Sequence, residues 1–181
     1  MVEISTVFWM FVVVFAFMGF VRGWAREILV AASVILAFFV VFVFENYIPI
    51  VSGFFNQYQV PSSDVMPIQQ FWFRVIVLIV LVFFGYETPS LPRIAGPRFK
   101  RDNFRDSALG FILGAVNGYL IIGTLWALVD QAGYPFDFVV APLTQNSMDM
   151  VLKMPPFWLM QIPQILIAVI LVFFFIIAVF V

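Results

Sequence analysis

The sequence predicts an all-α membrane protein, a polytopic helical bundle with about five transmembrane helices. Hydrophobic residues make up 64% of the 181 residues and charged residues only 10%, whereas soluble domains are roughly 45–50% apolar and about 25% charged. The mean hydropathy is +1.10. The apolar residues also fall into long runs, and about 20 such residues cross a hydrocarbon core about 30 Å thick.

Five apolar runs are the candidate membrane spans of a single membrane domain covering residues 1–181. They comprise residues 5–21, 28–44, 68–86, 107–129 and 164–181. The run 28–44 is rich in Val and Phe, which favour strands in water, but an open strand in lipid would leave its backbone groups unpaired. Each run is therefore predicted to be a helix. The Pro-containing connections 45–67 and 131–163 leave room for short interfacial helices.

The distribution of basic residues predicts the orientation of the chain. Arg22 and Arg26 lie in the first connection, no Lys or Arg lies in the second, and Lys153 lies in the fourth. The third connection is a basic loop with Arg93, Arg98, Lys100, Arg101 and Arg105. Basic loops stay on the cytoplasmic side. We therefore expect the amino terminus outside and the carboxyl terminus in the cytoplasm. The cluster of basic residues could also recruit anionic lipid or a cytoplasmic partner.

The fourth run carries a helix-packing motif. Gly110, Gly114 and Gly118 recur at four-residue spacing, and Asn117 lies beside them. Small residues on one helix face allow a second helix to approach closely in lipid, and an amide there forms interhelical hydrogen bonds. The spacing leaves open whether the second helix belongs to the same chain or to another copy.

Arg74 is the only basic residue within an apolar run. Its long side chain can reach the headgroups from its position near one end of the run. Alternatively, it marks an intramembrane polar site that contacts an ion or a substrate.

The residue types present argue against catalysis. The chain has no Cys and no His, which excludes thiolate nucleophiles, disulfides, zinc sites built on Cys or His, and His ligation of haem. No Ser-His pair or His-rich metal motif is possible. We therefore expect no enzymatic activity, no metal and no cofactor, and no nucleic-acid partner.

Two segments carry a resemblance to a known family. The first is GFVRGWARE at residues 19–27, and the second is RDSALG at residues 105–110, leading into the glycine-containing run. Together they resemble the bacterial colicin V production protein family over about residues 5–130. The resemblance assigns a family signature to Gly19, Arg22, Gly23, Arg26, Glu27 and Asp106. It implies four spans, so that 164–181 is an additional carboxyl-terminal helix.

The resemblance also implies a multi-pass protein of the bacterial inner membrane, associated with colicin V export and envelope homeostasis and with no established catalytic reaction. Two functions remain open. The first is a non-enzymatic scaffold or accessory subunit of a larger membrane complex, with the lipid bilayer and other membrane proteins or itself as partners. The second is a small oligomeric channel or transporter, suggested by Arg74 and Asn117.

Overall fold

The chain folds into α-helices only, as predicted, within the residues that the structure describes. The structure is a computed structural model that describes residues 3–59, 63–87, 103–137, 139, 141–142 and 144–180. The helices are α1 (Ile4–Arg22), α2 (Trp24–Tyr47), α3 (Pro49–Asn56), α4 (Ile68–Tyr86), α5 (Asn103–Gln131), α6 (Gln145–Val151), α7 (Pro155–Leu159) and α8 (Gln164–Phe180).

Four helices, α1, α2, α4 and α5, are long and apolar enough to cross a membrane. They coincide with the first four predicted runs. The helix α8 has 17 residues, which at a rise of 1.5 Å per residue gives about 25 Å. The fifth predicted run is therefore a shorter apolar helix. The connections between the spans contain the short helices α3, α6 and α7. The side of the membrane on which each end lies stays a prediction.

The helix α5 packs against both α1 and α2. The helix α1 runs antiparallel to it, because Gly19 faces Gly110 at one end while Phe8 lies near Gly123 towards the other. The helix α1 contacts α5 far more than it contacts α2.

The helix α2 packs between α4 and α5. The helix α2 runs parallel to α5, because Glu27 near its start contacts Asn117, while Glu45 near its end and Gln131 at the end of α5 contact the same side chain, Arg74. The chain therefore reverses between α1 and α2.

This reversal takes place in one residue, Gly23. Its φ is +84°, a conformation that L side chains rarely adopt. A Cβ added to Gly23 would lie 2.8 Å from Oδ2 of Asp106. The backbone conformation therefore requires glycine at this position, and an added Cβ would also displace the Asp106 side chain.

The backbones of α1 and α5 are in direct contact. A Cβ added to Gly19 would lie 2.1 Å from the carbonyl oxygen of Gly110 and 2.8 Å from Cα of Gly114. A Cβ added to Gly114 would lie 2.3 Å from the carbonyl oxygen of Phe15. Further along, a Cβ on Gly118 would lie 3.0 Å from Cα of Val12. The glycine face of α5 thus packs against α1 of the same chain.

Apolar clusters fill the remaining interfaces. The largest joins α2, α4 and α5 to the segment that leads into α8. Its buried members are Val30, Val34, Ala37, Phe38, Phe42, Leu78, Leu120, Ile121, Leu159 and Ile165. A second cluster places Val151 and Met154 against α1 and α5. The short helices after α5 are therefore part of the packed structure.

The close contact of α1 with α5 predicts that Gly19→Ala destabilises the fold. Its added methyl group meets backbone atoms of Gly110, which cannot move aside like a side chain, and overpacking of this kind costs about 1–3 kcal/mol. The matched control is Gly53→Ala in α3, where an added Cβ meets nothing within 4 Å. We expect thermal unfolding in detergent at a lower temperature for Gly19→Ala and no loss for Gly53→Ala. Equal behaviour of the two variants would contradict this contact.

Candidate functional site

Two clusters of polar side chains lie at opposite ends of the long helices. The first, the junction cluster, consists of Arg22, Glu27, Tyr86 and Asn117 beside the reversal at Gly23. The second, the clamp cluster, consists of Glu45, Gln70, Arg74 and Gln131. The helix α4 connects the two, because it carries Arg74 near its start and Tyr86 at its end.

Glu27 is the centre of the junction cluster and is fully buried. The side-chain amide of Asn117 donates to Oε2 of Glu27 and to the backbone carbonyl of Glu27, both at 2.8 Å. A buried carboxylate and a buried amide in a membrane helix need such partners. This pair ties α5 to the first turn of α2.

Arg22 adds α1 and α4 to the cluster. Its Nε lies 3.2 Å from Oε1 of Glu27, within ion-pair distance although the two atoms lack hydrogen-bond geometry. Nη2 of Arg22 donates to the carbonyl of Tyr86 at 3.1 Å. The guanidinium carbon also lies 4.3 Å from the centroid of the Tyr86 ring, a cation–π contact. Four helices therefore meet at this point.

Asp106 stabilises the start of α2. The backbone N–H of Trp24, the first residue of α2, donates to Oδ1 of Asp106 at 3.4 Å. The first N–H groups of a helix have no partner within the helix, and a carboxylate there also interacts favourably with the helix dipole. An acid on α5 thus caps α2 across the reversal at Gly23.

The clamp cluster is built around a bidentate ion pair. Nε and Nη2 of Arg74 donate to the two carboxylate oxygens of Glu45, each at 2.8 Å, and Nη1 donates to Oε1 of Gln131 at 2.8 Å. Gln70 donates to Glu45 at 3.0 Å. The side chains of Arg74 and Glu45 are only 16% and 12% exposed. The cluster joins α2, α4 and α5.

A small gap lies next to Arg74. Its volume is about 10 Å³, and apart from Arg74 and Thr124 its lining is apolar. A water molecule needs a cavity of about 10–15 Å³, so the gap has room for one water molecule at most.

No group of three or more acidic residues that could hold a metal ion is present in the described part of the chain.

The match to a known family covers most of the chain. The family model of the colicin V production protein matches residues 4–151. The chain belongs to the colicin V production protein family. A search of curated proteins found no match, and neither did a search of solved structures. The resemblance predicted from residues 19–27 and 105–110 is therefore confirmed, and the match extends through α6. The helices α7 and α8 lie beyond it.

The structure brings most of the predicted family signature together. Gly19 contacts α5, Gly23 contacts Asp106, and Arg22 pairs with Glu27. Arg26 and Arg105 are exposed at the same end of the bundle. The other members of the predicted basic loop, Arg93, Arg98, Lys100 and Arg101, lie outside the described residues.

The clamp cluster contains residues that sequence reasoning missed. Neither interpretation of Arg74, headgroup contact or cavity contact, included a carboxylate partner from α2. A signal was present, because Glu45 ends one apolar run, Arg74 lies near the start of the next, and both border the same connection. Tyr86 and Gln131 gave no comparable signal, since their roles depend on helix packing that spacing does not specify.

Glu3 forms a further polar contact just before α1. The hydroxyl groups of Thr144 and Ser147 donate to its carboxylate, the second at 2.8 Å. These hydrogen bonds hold the pKa of Glu3 below its ordinary value of 4.5. Because the pKa is lower in the folded state, the contact stabilises the fold above about pH 4.5 and is lost as the pH falls through the folded-state pKa. The start of α1 is thereby tied to α6.

The junction cluster predicts that Asn117→Ala destabilises the fold more than the truncation to Ala of another buried polar side chain of α5. The variant removes the donor to Oε2 of buried Glu27, and leaving such an acceptor unpaired costs about 1–3 kcal/mol. The control is Thr124→Ala, which removes another buried side chain of α5 whose hydroxyl donates within its own helix, to Leu120. Unfolding titrations in mixed micelles should show the larger loss for Asn117→Ala. An equal or smaller loss would be inconsistent with this assignment.

The clamp cluster predicts strong coupling between Arg74 and Glu45. Arg74→Met alone leaves a poorly hydrated carboxylate unpaired, which costs about 3–5 kcal/mol when one member of a buried ion pair is removed. Glu45→Leu combined with Arg74→Met removes both charges, so the double variant should be more stable than Arg74→Met. The same unfolding titrations are applied to Arg74→Met, Glu45→Leu and the double variant, which together form a double-mutant cycle. If the loss of stability in the double variant equals the sum of the losses in the two single variants, the two side chains do not pair.

Proposed function

We propose that this protein is a non-enzymatic scaffold or accessory protein of the bacterial inner membrane, acting in export or envelope homeostasis through contacts with other membrane proteins. The observation that supports this proposal most directly is that the buried charged side chains pair with each other. Arg22, Glu27, Glu45 and Arg74 are buried or nearly so, and they form two ion pairs. These charges hold helices together.

The exposed surface of the helices supports the same proposal. Large apolar side chains cover the outward faces of α1, α4 and α8, including Phe17 at 60%, Phe84 at 64% and Phe174 at 70% exposed. The helix α8 contains no charged residue, and most of its described side chains are exposed. Such surfaces suit lipid and the apolar faces of other membrane helices.

A channel or transporter is the second candidate, and Arg74 is the observation that favours it. Intramembrane ionisable residues mark ion and substrate pathways, and Arg74 borders a gap in the bundle. The gap has a volume of only about 10 Å³, and the guanidinium is engaged by Glu45 and Gln131. Transport would therefore require a rearrangement that breaks the clamp cluster.

Extraction from the native membrane tests the scaffold proposal. The tagged protein is solubilised in a mild detergent, sized on a native gel, and its co-migrating proteins are identified by mass spectrometry. We expect a defined complex larger than the chain itself, with the same membrane proteins recovered each time. A protein that migrates alone or only with copies of itself would contradict an accessory role in a larger assembly.

Liposome flux separates the two functions. We expect purified protein to give no ion flux above protein-free liposomes, and Arg74→Ala and Asn117→Ala to behave like the parent protein. The matched control is Thr124→Ala, which also borders the gap but carries no charge. Flux in the parent protein that changes in Arg74→Ala and not in Thr124→Ala would favour transport over the scaffold role.

A further inference from the structure

The connection from α2 to α4 begins with a short helix that lies against the bundle. The helix α3 has 8 residues and starts at Pro49, after Ile48 interrupts α2 with an extended backbone conformation. Phe55 of α3 is buried, and its ring centroid lies 5.5 Å from that of Phe73 on α4. Phe44 in the last turn of α2 contacts the same ring at 6.0 Å, although Phe44 and Phe55 would lie about 16 Å apart along one straight helix. The chain therefore turns at Ile48, and α3 folds back against the ends of α2 and α4.

These ring contacts place α3 at one edge of the hydrocarbon. The helix α4 has 19 residues, and at a rise of about 1.5 Å per residue this length only just covers a core about 30 Å thick. Phe73 lies in the second turn of α4, so the residues that contact it lie near the surface of that core. Glu45 and Arg74 of the clamp cluster lie at the same end. The helix α3 is thus level with the boundary between acyl chains and headgroups.

The helix α3 has three different sides. Phe55 packs against the bundle, whereas Ile50 and Phe54, one turn apart, share a second side and are 84% and 47% exposed. Ser52 and Asn56 lie about 200° further round the helix and form a polar side. No charged residue lies in α3. The helix is therefore amphipathic, and its apolar side points away from the rest of the chain.

This apolar side continues the lipid-facing surface of the spans. We call Ile50, Phe54 and Tyr58 the α3 apolar face. Tyr58 follows the end of α3, is half-exposed, and has its ring centroid 5.2 Å from that of Phe54. Phe54 in turn lies 5.7 Å from Phe55, whose contacts lead to Phe44, a residue that is 38% exposed on α2. A continuous row of aromatic rings thus joins the α3 apolar face to the surface of a span.

The composition around α3 fits a partner that is apolar and uncharged. Residues 45–67 contain no Lys or Arg, the residues that attract anionic headgroups. Their two acids are Asp64 and Glu45, and Glu45 pairs with Arg74. Tyr47 just before α3 is exposed, as is Tyr58 just after it, and tyrosine is enriched at the level of the headgroups. Apolar side chains with polar ones opposite suit the boundary between headgroups and acyl chains.

We propose that α3 is an interfacial helix whose apolar face inserts among the lipid molecules of the bilayer, with Ser52 and Asn56 towards the headgroups and water. Contact with acyl chains drives the insertion, and no anionic headgroup is required. Proline content allowed an interfacial helix in this connection, and the ring contacts and exposed side chains now give its orientation. The inserted helix holds the ends of α2 and α4 at the membrane surface. The inference goes beyond the proposed function, because it applies equally to a scaffold and to a channel.

Fluorescence quenching tests the orientation of α3 without background, because the chain has no native cysteine. Ile50→Cys and Phe54→Cys are labelled with an NBD fluorophore in purified full-length protein in phosphatidylcholine nanodiscs. The matched control is Asn56→Cys, which replaces a residue that is also exposed in the chain but lies on the polar side. We expect blue-shifted emission at positions 50 and 54, and about threefold or more stronger quenching by nitroxide-labelled lipid than at position 56. Equal emission and quenching at the three positions would overturn the proposal.

Thiol reactivity separates lipid from a protein partner. The unlabelled variants react with a water-soluble maleimide in native membranes and in phosphatidylcholine nanodiscs. Because apolar surroundings disfavour the reactive thiolate, we expect positions 50 and 54 to react about tenfold or more slowly than position 56 in both preparations. Slow reaction in native membranes combined with fast reaction in nanodiscs would assign the α3 apolar face to a protein partner and overturn lipid as the occupant.

Lipid composition tests what drives the insertion. We expect the same emission and quenching at positions 50 and 54 in phosphatidylcholine nanodiscs and in nanodiscs that also contain phosphatidylglycerol. Insertion that appears only with the anionic lipid would contradict insertion by apolar contact.

A charged substitution tests whether the face is inserted at all. Ile50→Asp places a carboxylate against acyl chains, which is unfavourable, so the emission of NBD at position 54 should shift to the red. Asn56→Asp, on the polar side of the same helix, should leave that emission unchanged. Identical emission for the two substitutions would show that the α3 apolar face does not lie in the bilayer.

Discussion

The backbone contact between α1 and α5 is the constraint on which the rest of the structure depends. In lipid, apolar helices gain little from burying apolar side chains against each other, so close van der Waals packing has to bring them together. Gly19, Gly110 and Gly114 provide that packing because none of them carries a Cβ at the contact. The same approach brings Gly23 against Asp106, which caps α2. The reversal of the chain and the start of α2 are thus both set by this one contact.

The two polar clusters fix the remaining helices relative to this pair. The junction cluster joins α1, α2, α4 and α5 at one end, and the clamp cluster joins α2, α4 and α5 at the other. An ion pair taken out of water is costly unless its geometry is good and its other hydrogen-bonding positions are filled. The clamp meets this condition through the bidentate contact of Arg74 with Glu45 and the hydrogen bond from Arg74 to Gln131. Such polar contacts specify which helix faces meet. Apolar surfaces in lipid specify helix pairing poorly, because lipid tails are as apolar as the helix surfaces.

Much of this architecture could be predicted from the sequence, because a membrane imposes helices and a minimum length on every span. The first four runs, which correspond to α1, α2, α4 and α5, are examples. The partner of the glycine face was not predictable, since a four-residue spacing indicates close approach without saying which helix approaches. The ion pair of Arg74 with Glu45 and the packing of the short helices after α5 depend on tertiary contacts. Proline content indicates an interrupted helix after α5, but not which helices that segment packs against.

The most direct test of this account is the distance between α1 and α5 in the membrane. Phe17 and Phe111 are both exposed, and their ring centroids lie 5.6 Å apart. The variant Phe17→Cys/Phe111→Cys, treated with a short bifunctional thiol reagent in native membranes, should form an internal cross-link and migrate faster on a denaturing gel. Phe17→Cys/Phe83→Cys, with the second cysteine on α4, should not. Failure of the first pair to cross-link, or equal cross-linking of both pairs, would contradict the contact from which the rest of the structure follows.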